Sequence, residues 1–181
     1  MALKATIFKA ELDVSDIDRG YYQTHTLTIA RHPSETDERM MVRVLAFALH
    51  AHEQLDFGKG LSTDDEPDLW QRDLTGAIRL WIDVGLPDER RLRKASGRSG
   101  AVVVYAYGGR GTGIWWRQTE PDVARLRNLT VKTLAPAASQ ALSKLAERNM
   151  RLQCTVQEGQ VWLGNAAGGV TLEPEVLQQE A

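Results

Sequence analysis

A chain of 181 residues with 43% apolar and 25% charged residues has the composition of a globular protein and the length for one domain, residues 1–181. No apolar stretch approaches the roughly eighteen residues that span a bilayer, and the opening MALKATIFKAELDV alternates instead of showing a leader's charged start, apolar block and cleavage site. A formal net charge of −2 does not announce a nucleic-acid binder, and one cysteine, Cys154, excludes an internal disulfide framework, so a cytoplasmic protein with no membrane partner is expected.

In chain order, the first predicted elements are two alternating strands. Thr6, Phe8, Ala10, Leu12 and Val14 share a mostly apolar face, and alternation resumes from Tyr21 to Ala30, which predicts an antiparallel hairpin. RHPSETDERMMVRVLAFALHAHEQL then switches to helical period, with Ser34 as the N-cap and a core stripe at Met41, Val44, Leu45, Ala48 and Leu55. Glu35, Asp37 and Glu38 crowd the positive end of that helix. Glu38 falls three residues before Met41 and seven before Leu45, on the inward face. Two roles stand for it, a dipole partner or an acid facing a site.

DFGKGLSTDDE reads as a turn-rich loop leading to Asp68. AIRLWIDV and AVVVYAY have the apolar density of strands buried on both faces, separated by a short helix, PDERRLRKAS, that begins at Pro87. GIWWRQ and PDVARLRN read as separate helical pieces, LTVKTL as a strand and APAASQALSKLAERN as a helix. MRLQCTVQEGQVWL is a final hairpin turning at Glu158-Gly159. This order predicts an α/β fold with a mixed central sheet flanked by helices, and hairpins at the N- and C-terminal ends.

Charge is unevenly distributed. Glu53 to Asp73 holds seven acids and two bases, whereas Arg90 to Lys132 holds ten bases and two acids. The second stretch, with Arg90, Arg91 and Arg93 on its first helix and Arg110 in the Gly-rich YGGRGTG, supplies either a phosphate-binding surface or a solvated helix face. DNA or RNA is the partner expected of the first; the sequence carries no signal for an oligomeric state.

Asp68 opens one apolar run and Asp83 stands near the end of the next, beside Trp81 and Ile82. Two acids on adjacent strands, with a third on a packed helix, suit a hard cation, Mg²⁺ or Mn²⁺, whose charge makes partial burial of carboxylates tolerable. Such a cation supports phosphodiester hydrolysis. The plainer alternative leaves Asp83 at a strand end near solvent and Asp68 in a turn. Other chemistries have less behind them. His50 and His52 face opposite ways on a helix, and Cys154 has no evident base. YGGRGTG lacks the Lys-Ser/Thr of a phosphate loop, although Arg110 is placed to touch a phosphate. Trp115-Trp116 suits either base stacking or a core.

MALKATIFKAELDV, ARHPSETDERMMVRVLAFA, STDDEPDLW, LWIDVGLPDERRLRKA, IWW and LQCTVQEGQVWL together resemble the YaeQ family over essentially the whole chain. The resemblance implies a single-domain variant of the restriction-endonuclease-like, or PD-(D/E)XK nuclease, fold. Carried over by position, Pro67-Asp68 resembles the PD element, Asp83 the second acid and Glu38 the helix acid. That assigns Glu38, Asp68 and Asp83 as metal ligands. The chain departs from the pattern at Gly85, where a lysine is expected two residues after Asp83. Lys94, two turns or about 10 Å along the following helix, is the replacement the resemblance suggests, with Arg90 and Arg91 as fallback cations. A metal-dependent nuclease or phosphodiesterase is implied. The alternatives are a non-catalytic nucleic-acid- or transcription-associated module, of the elongation or antitermination kind, and a protein-interaction domain with a vestigial site.

Overall fold

A computed structural model describes residues 4–181, so Met1, Ala2 and Leu3 of the predicted N-terminal segment lie outside the described residues. The first elements are strands β1 (Thr6–Asp16) and β2 (Tyr21–Arg31), helix α1 (Asp37–Leu49) and strand β3 (Leu55–Phe57). After a 3₁₀ turn at Gly60–Ser62 come β4 (Leu69–Arg72), β5 (Ile78–Val84), α2 (Glu89–Arg98), β6 (Ser99–Ala106) and α3 (Arg110–Val123). The chain ends with β7 (Leu129–Thr133), α4 (Pro136–Ser143), β8 (Asn149–Gln157), β9 (Gln160–Asn165), β10 (Gly168–Leu172) and β11 (Glu175–Gln178). No described helix is long and apolar enough to cross a membrane.

The chain folds as two compact units, one up to Ala51 with Ala137–Glu173, the other His52–Pro136 with Pro174–Ala181. In the first, the two predicted hairpins are not appendages of a central sheet. They join in one mixed sheet ordered β10-β9-β8-β1-β2, through parallel pairing of β1 with β8. Its buried face carries Phe8, Ala10, Leu12 and Val14 from β1 and Met150, Leu152, Cys154 and Val156 from β8, every second residue, as a half-buried sheet requires. The β8–β9 hairpin turns at Glu158-Gly159, both at positive φ, and the Asp18 carboxylate accepts both backbone N–H groups at 2.7 and 2.9 Å. Helix α1 buries every residue from Met40 to Ala48. Its N-cap is Thr36, which accepts from the Arg39 N–H at 3.1 Å, not Ser34, whose hydroxyl contacts His32. Leu55, expected on the helical stripe, belongs to β3.

The second unit holds the mixed sheet β11-β7-β6-β5-β4-β3. Strands β5, β6 and β7 run parallel, and helices α2 and α3 make the two crossovers that parallel neighbours need. Leu92 and Ala95 of α2 and Trp115 and Val123 of α3 pack with Trp81, Val102, Val104 and Val131 on one face of the sheet. Helix α3 runs without interruption through Pro121, where two pieces were expected. Helix α4 stops at Ser143, short of the expected Asn149, and continues as i→i+3 turns to Ala146.

Candidate functional site

Strands β4 and β5 pair antiparallel with Trp70 opposite Trp81 and Leu69 opposite Ile82. Extended one step beyond the paired residues, that register sets Asp68 opposite Asp83, on the side that carries Trp81. Both acids are buried, at 3% and 1% exposure, so Asp83 is not a strand-end residue in solvent. The preceding loop folds over Asp68: Gly58 N–H donates to the Asp68 carbonyl at 2.9 Å and Gly60 N–H to the Pro67 carbonyl at 3.1 Å. Gly60 has φ +43°, and a Cβ there would stand 2.3 Å from Asp68 Oδ1, so the approach requires glycine. Asp68 Oδ2 accepts the Val84 N–H at 2.7 Å, which fixes the carboxylate at the end of β5.

Arg91 supplies the positive charge. Its guanidinium forks onto Asp83, Nε to Oδ2 at 2.7 Å and Nη2 to Oδ1 at 3.0 Å. It also donates to the carbonyls of Glu66 at 2.9 Å and Asp64 at 3.3 Å, and lies over the Trp81 ring. Burial alone would lower the pKa of this guanidinium; the hydrogen bonds and charge of Asp83, with Asp68 and Asp64 adding, override that and raise it. The Trp81 indole N–H beneath it is buried with no hydrogen-bond partner among the described residues.

Lys94 is not the cation beside Asp83. Its ammonium pairs with Asp65 at 2.7 Å, on the exposed side of α2, and holds the Asp65 carboxyl below the usual range by hydrogen bond and charge. The reason is the start of α2. Asp88, not Pro87, caps the helix, accepting the Arg91 N–H at 2.8 Å, and this turns the first-turn Arg91 toward β5. Glu38 is half-buried on α1, in the first unit, whereas Asp68 and Asp83 are in the second. The acid fully engaged near the start of α1 is Glu35, read from sequence as a dipole partner. It is buried and accepts from Arg43 at 2.7 Å twice and from Arg39 at 2.9 Å.

Of the basic residues, Arg90 is exposed without an ion pair among the described residues, and Arg93 pairs with Glu89 at 2.9 Å. Arg110 is exposed at the first position of α3. Trp115 is core, its indole N–H donating to the Pro87 carbonyl at 2.7 Å, so base stacking is not its role. Burial pushes the Cys154 thiol up to about 12, with the charge of Asp16 adding. Sequence reasoning missed Gly60 and the carbonyls of Asp64 and Glu66; the signal for Gly60 was the G-x-G of FGKGLS just ahead of Pro67-Asp68.

Among the described residues no three His, Cys, Asp or Glu side chains are arranged to hold a metal ion. Two carboxylates are enough for Mg²⁺, which keeps several waters. Asp68 and Asp83 are two such carboxylates, and in this structure both Asp83 oxygens accept from Arg91.

These features define an α/β protein of two mixed sheets and four helices, with a buried Asp–Asp pair bound by an arginine. The chain belongs to the YaeQ family, whose family description, YaeQ protein, matches residues 1–174. It is 46% identical over 179 residues to YaeQ of Salmonella typhi and 44% identical to YaeQ of Escherichia coli, with 99% of each chain covered in both cases. The crystal structure of YaeQ from Xanthomonas axonopodis pv. citri superposes with a TM-score of 0.93 at 55% identity, covering 96% of this chain and 98% of that one. That of YaeQ from Pseudomonas syringae gives 0.92 at 38% identity, with 97% of each chain covered.

Proposed function

We propose that this chain is a Mg²⁺- or Mn²⁺-dependent nuclease or phosphodiesterase built on a variant of the PD-(D/E)XK fold. Asp68 and Asp83 hold the cation, and Arg91 takes the part expected of Lys94. The observation that carries the reading is the pair of buried carboxylates, Asp68 just before β4 and Asp83 near the end of β5, with a guanidinium forked onto Asp83. When bound, the cation supplies Lewis-acid polarisation of a phosphoryl oxygen and activation of water. The chain's own groups do the rest. The Val84 N–H orients Asp68, and the Gly60 turn holds the loop against it. Arg91 exchanges the Asp83 carboxylate for two oxygens of a phosphate, which present the same bidentate geometry to its fork. Arg90 and Arg93 lie on the same helix and serve nucleic-acid backbone contacts.

A second reading has its own observation. Both Asp83 oxygens are already occupied by Arg91, which suits a non-catalytic nucleic-acid-binding module whose Asp83–Arg91 pair only braces α2. The test is cleavage of a panel of single- and double-stranded DNA and RNA with Mg²⁺ and Mn²⁺. The nuclease reading expects metal-dependent cleavage that Asp68→Asn and Asp83→Asn each abolish. Binding of nucleic acid without cleavage in either metal overturns it in favour of the binding module.

A further inference from the structure

Parallel strands β5, β6 and β7 end on one side of the second unit's sheet, the carboxyl end where ligands of open α/β sheets gather. There β6 leaves the sheet through Tyr107-Gly108-Gly109 directly into α3. Gly108 and Gly109 have φ of +121° and +65°, which residues with a Cβ rarely adopt, so the backbone of this turn is bare. Gly109 is the N-cap of a 14-residue helix and brings no capping side chain. The first-turn N–H groups of α3, except that of Thr112, which donates to the Gly109 carbonyl at 3.1 Å, therefore face outward at the positive end of the helix dipole.

A second observation is independent of the helix end. Thr112 is 6% exposed, and its Oγ1 is buried with no hydrogen-bond partner among the described residues. That hydroxyl faces the turn: the position of a Cβ on Gly108 lies 3.9 Å from it. An unpartnered buried hydroxyl is unfavourable, and a valine would fill the same space without it. Beside it, Arg110 is exposed, with no ion pair among the described residues.

We propose that the β6–α3 turn binds a phosphate monoester, held by the first-turn N–H groups of α3 and the Thr112 hydroxyl, with Arg110 as counter-charge. Donors converging on a helix N-terminus suit a tetrahedral oxyanion, and a dianionic monoester gains more from them than a diester. After Gly113 the chain continues with Ile114 and Trp115, so no lysine extends the cradle along a second phosphate. Entry of the ligand oxygen requires the Gly108 backbone to move aside, and a glycine pair is the stretch least hindered in doing so. A free nucleoside monophosphate and the 5′-phosphate end of a nucleic-acid strand present this same group. The site uses none of Asp68, Asp83 or Arg91 and stands whatever their function.

The experiment is an amide NMR titration of the full chain with inorganic phosphate, against chloride at matched ionic strength. Saturable shifts at Gly109, Arg110, Gly111 and Gly113 are expected, unchanged in Asp83→Asn. Thr112→Val should weaken binding about tenfold, the loss of one charge-assisted hydrogen bond, while thermal stability holds or rises. Arg110→Gln should weaken it too, most at low salt. Competition by AMP alone assigns a free phosphate ester as the source; equal competition by a 5′-phosphorylated oligonucleotide, but not its 5′-hydroxyl form, assigns a strand end. Shifts that do not saturate, that chloride reproduces, or that Thr112→Val leaves at wild-type strength overturn the proposal.

Discussion

Replacing Arg91 by methionine strips the guanidinium from a carboxylate that has almost no contact with water. The Asp83 side chain is 2% exposed and Arg91 20%, and both Asp83 oxygens take their hydrogen bonds from this one group. Removing one partner of a buried pair costs about 3–5 kcal/mol, because the remaining charge is left desolvated and unpaired. Partial exposure of Arg91 lets water reach the vacated space, which puts the expected cost near the lower end, about 3 kcal/mol. For a chain of this length that corresponds to a fall in Tm of roughly 6–12 °C. Chemical denaturation of wild type, Arg91→Met, Asp83→Asn and the double variant gives the coupling directly. The double variant should be less destabilised than the sum of the singles by about 2 kcal/mol. A loss below about 1 kcal/mol for Arg91→Met, with no coupling, would refute the claim that this is a desolvated pair. Arg91→Met also releases both oxygens of Asp83, so Mn²⁺ should bind this variant at least about tenfold more tightly than wild type.

Three further outcomes follow from individual contacts. Gly60→Ala should cost about 2–3 kcal/mol, because φ is +43° and a Cβ would meet Asp68 Oδ1 at 2.3 Å; urea unfolding measures it, and Gly76→Ala, with positive φ in open space, should cost less. Asp18→Ala removes the acceptor for two N–H groups of the Glu158-Gly159 turn and should cost about 1 kcal/mol, seen as faster amide exchange at those two positions. Cys154 should resist iodoacetamide at pH 8.5 until the protein unfolds. Its folded pKa is raised from 9.0 to about 12, so its contribution to stability is complete below pH 9 and is lost as pH rises toward 12; Cys154→Ala should remove that segment of the alkaline stability profile.

Local patterns carried much of this structure into the sequence. The β1–β2 and β8–β9 hairpins follow from period-two alternation, and Gly159 supplies a positive φ to its turn, where Glu158 adopts one as well. The opposition of Asp68 and Asp83 follows from reading two short strands with a turn between them. What joined β1 to β8 was not legible, because Lys9 pairs with Asn149 from the far end of the chain and no local signal specifies that register. The cation that meets Asp83 was hidden for a geometric reason. Arg91 and Lys94 share one side of α2 and differ by about one turn along it, so with Asp88 as the cap the first-turn Arg91 is level with Asp83 while Lys94 falls at Asp65. Glu35 was misread because it precedes the helical period altogether, and its burial is explained by Arg43, eight residues on and itself buried, together with Arg39.

Asp68 and Asp83 are proposed to share a divalent cation when Arg91 withdraws. Crystals grown or soaked with Mn²⁺ and measured near its absorption edge test this directly. One anomalous peak is expected within coordination distance of the Asp68 and Asp83 carboxylate oxygens, with the Arg91 guanidinium swung away from Asp83. Saturating Mn²⁺ with no peak there, and the Arg91 fork still closed on Asp83, would contradict it.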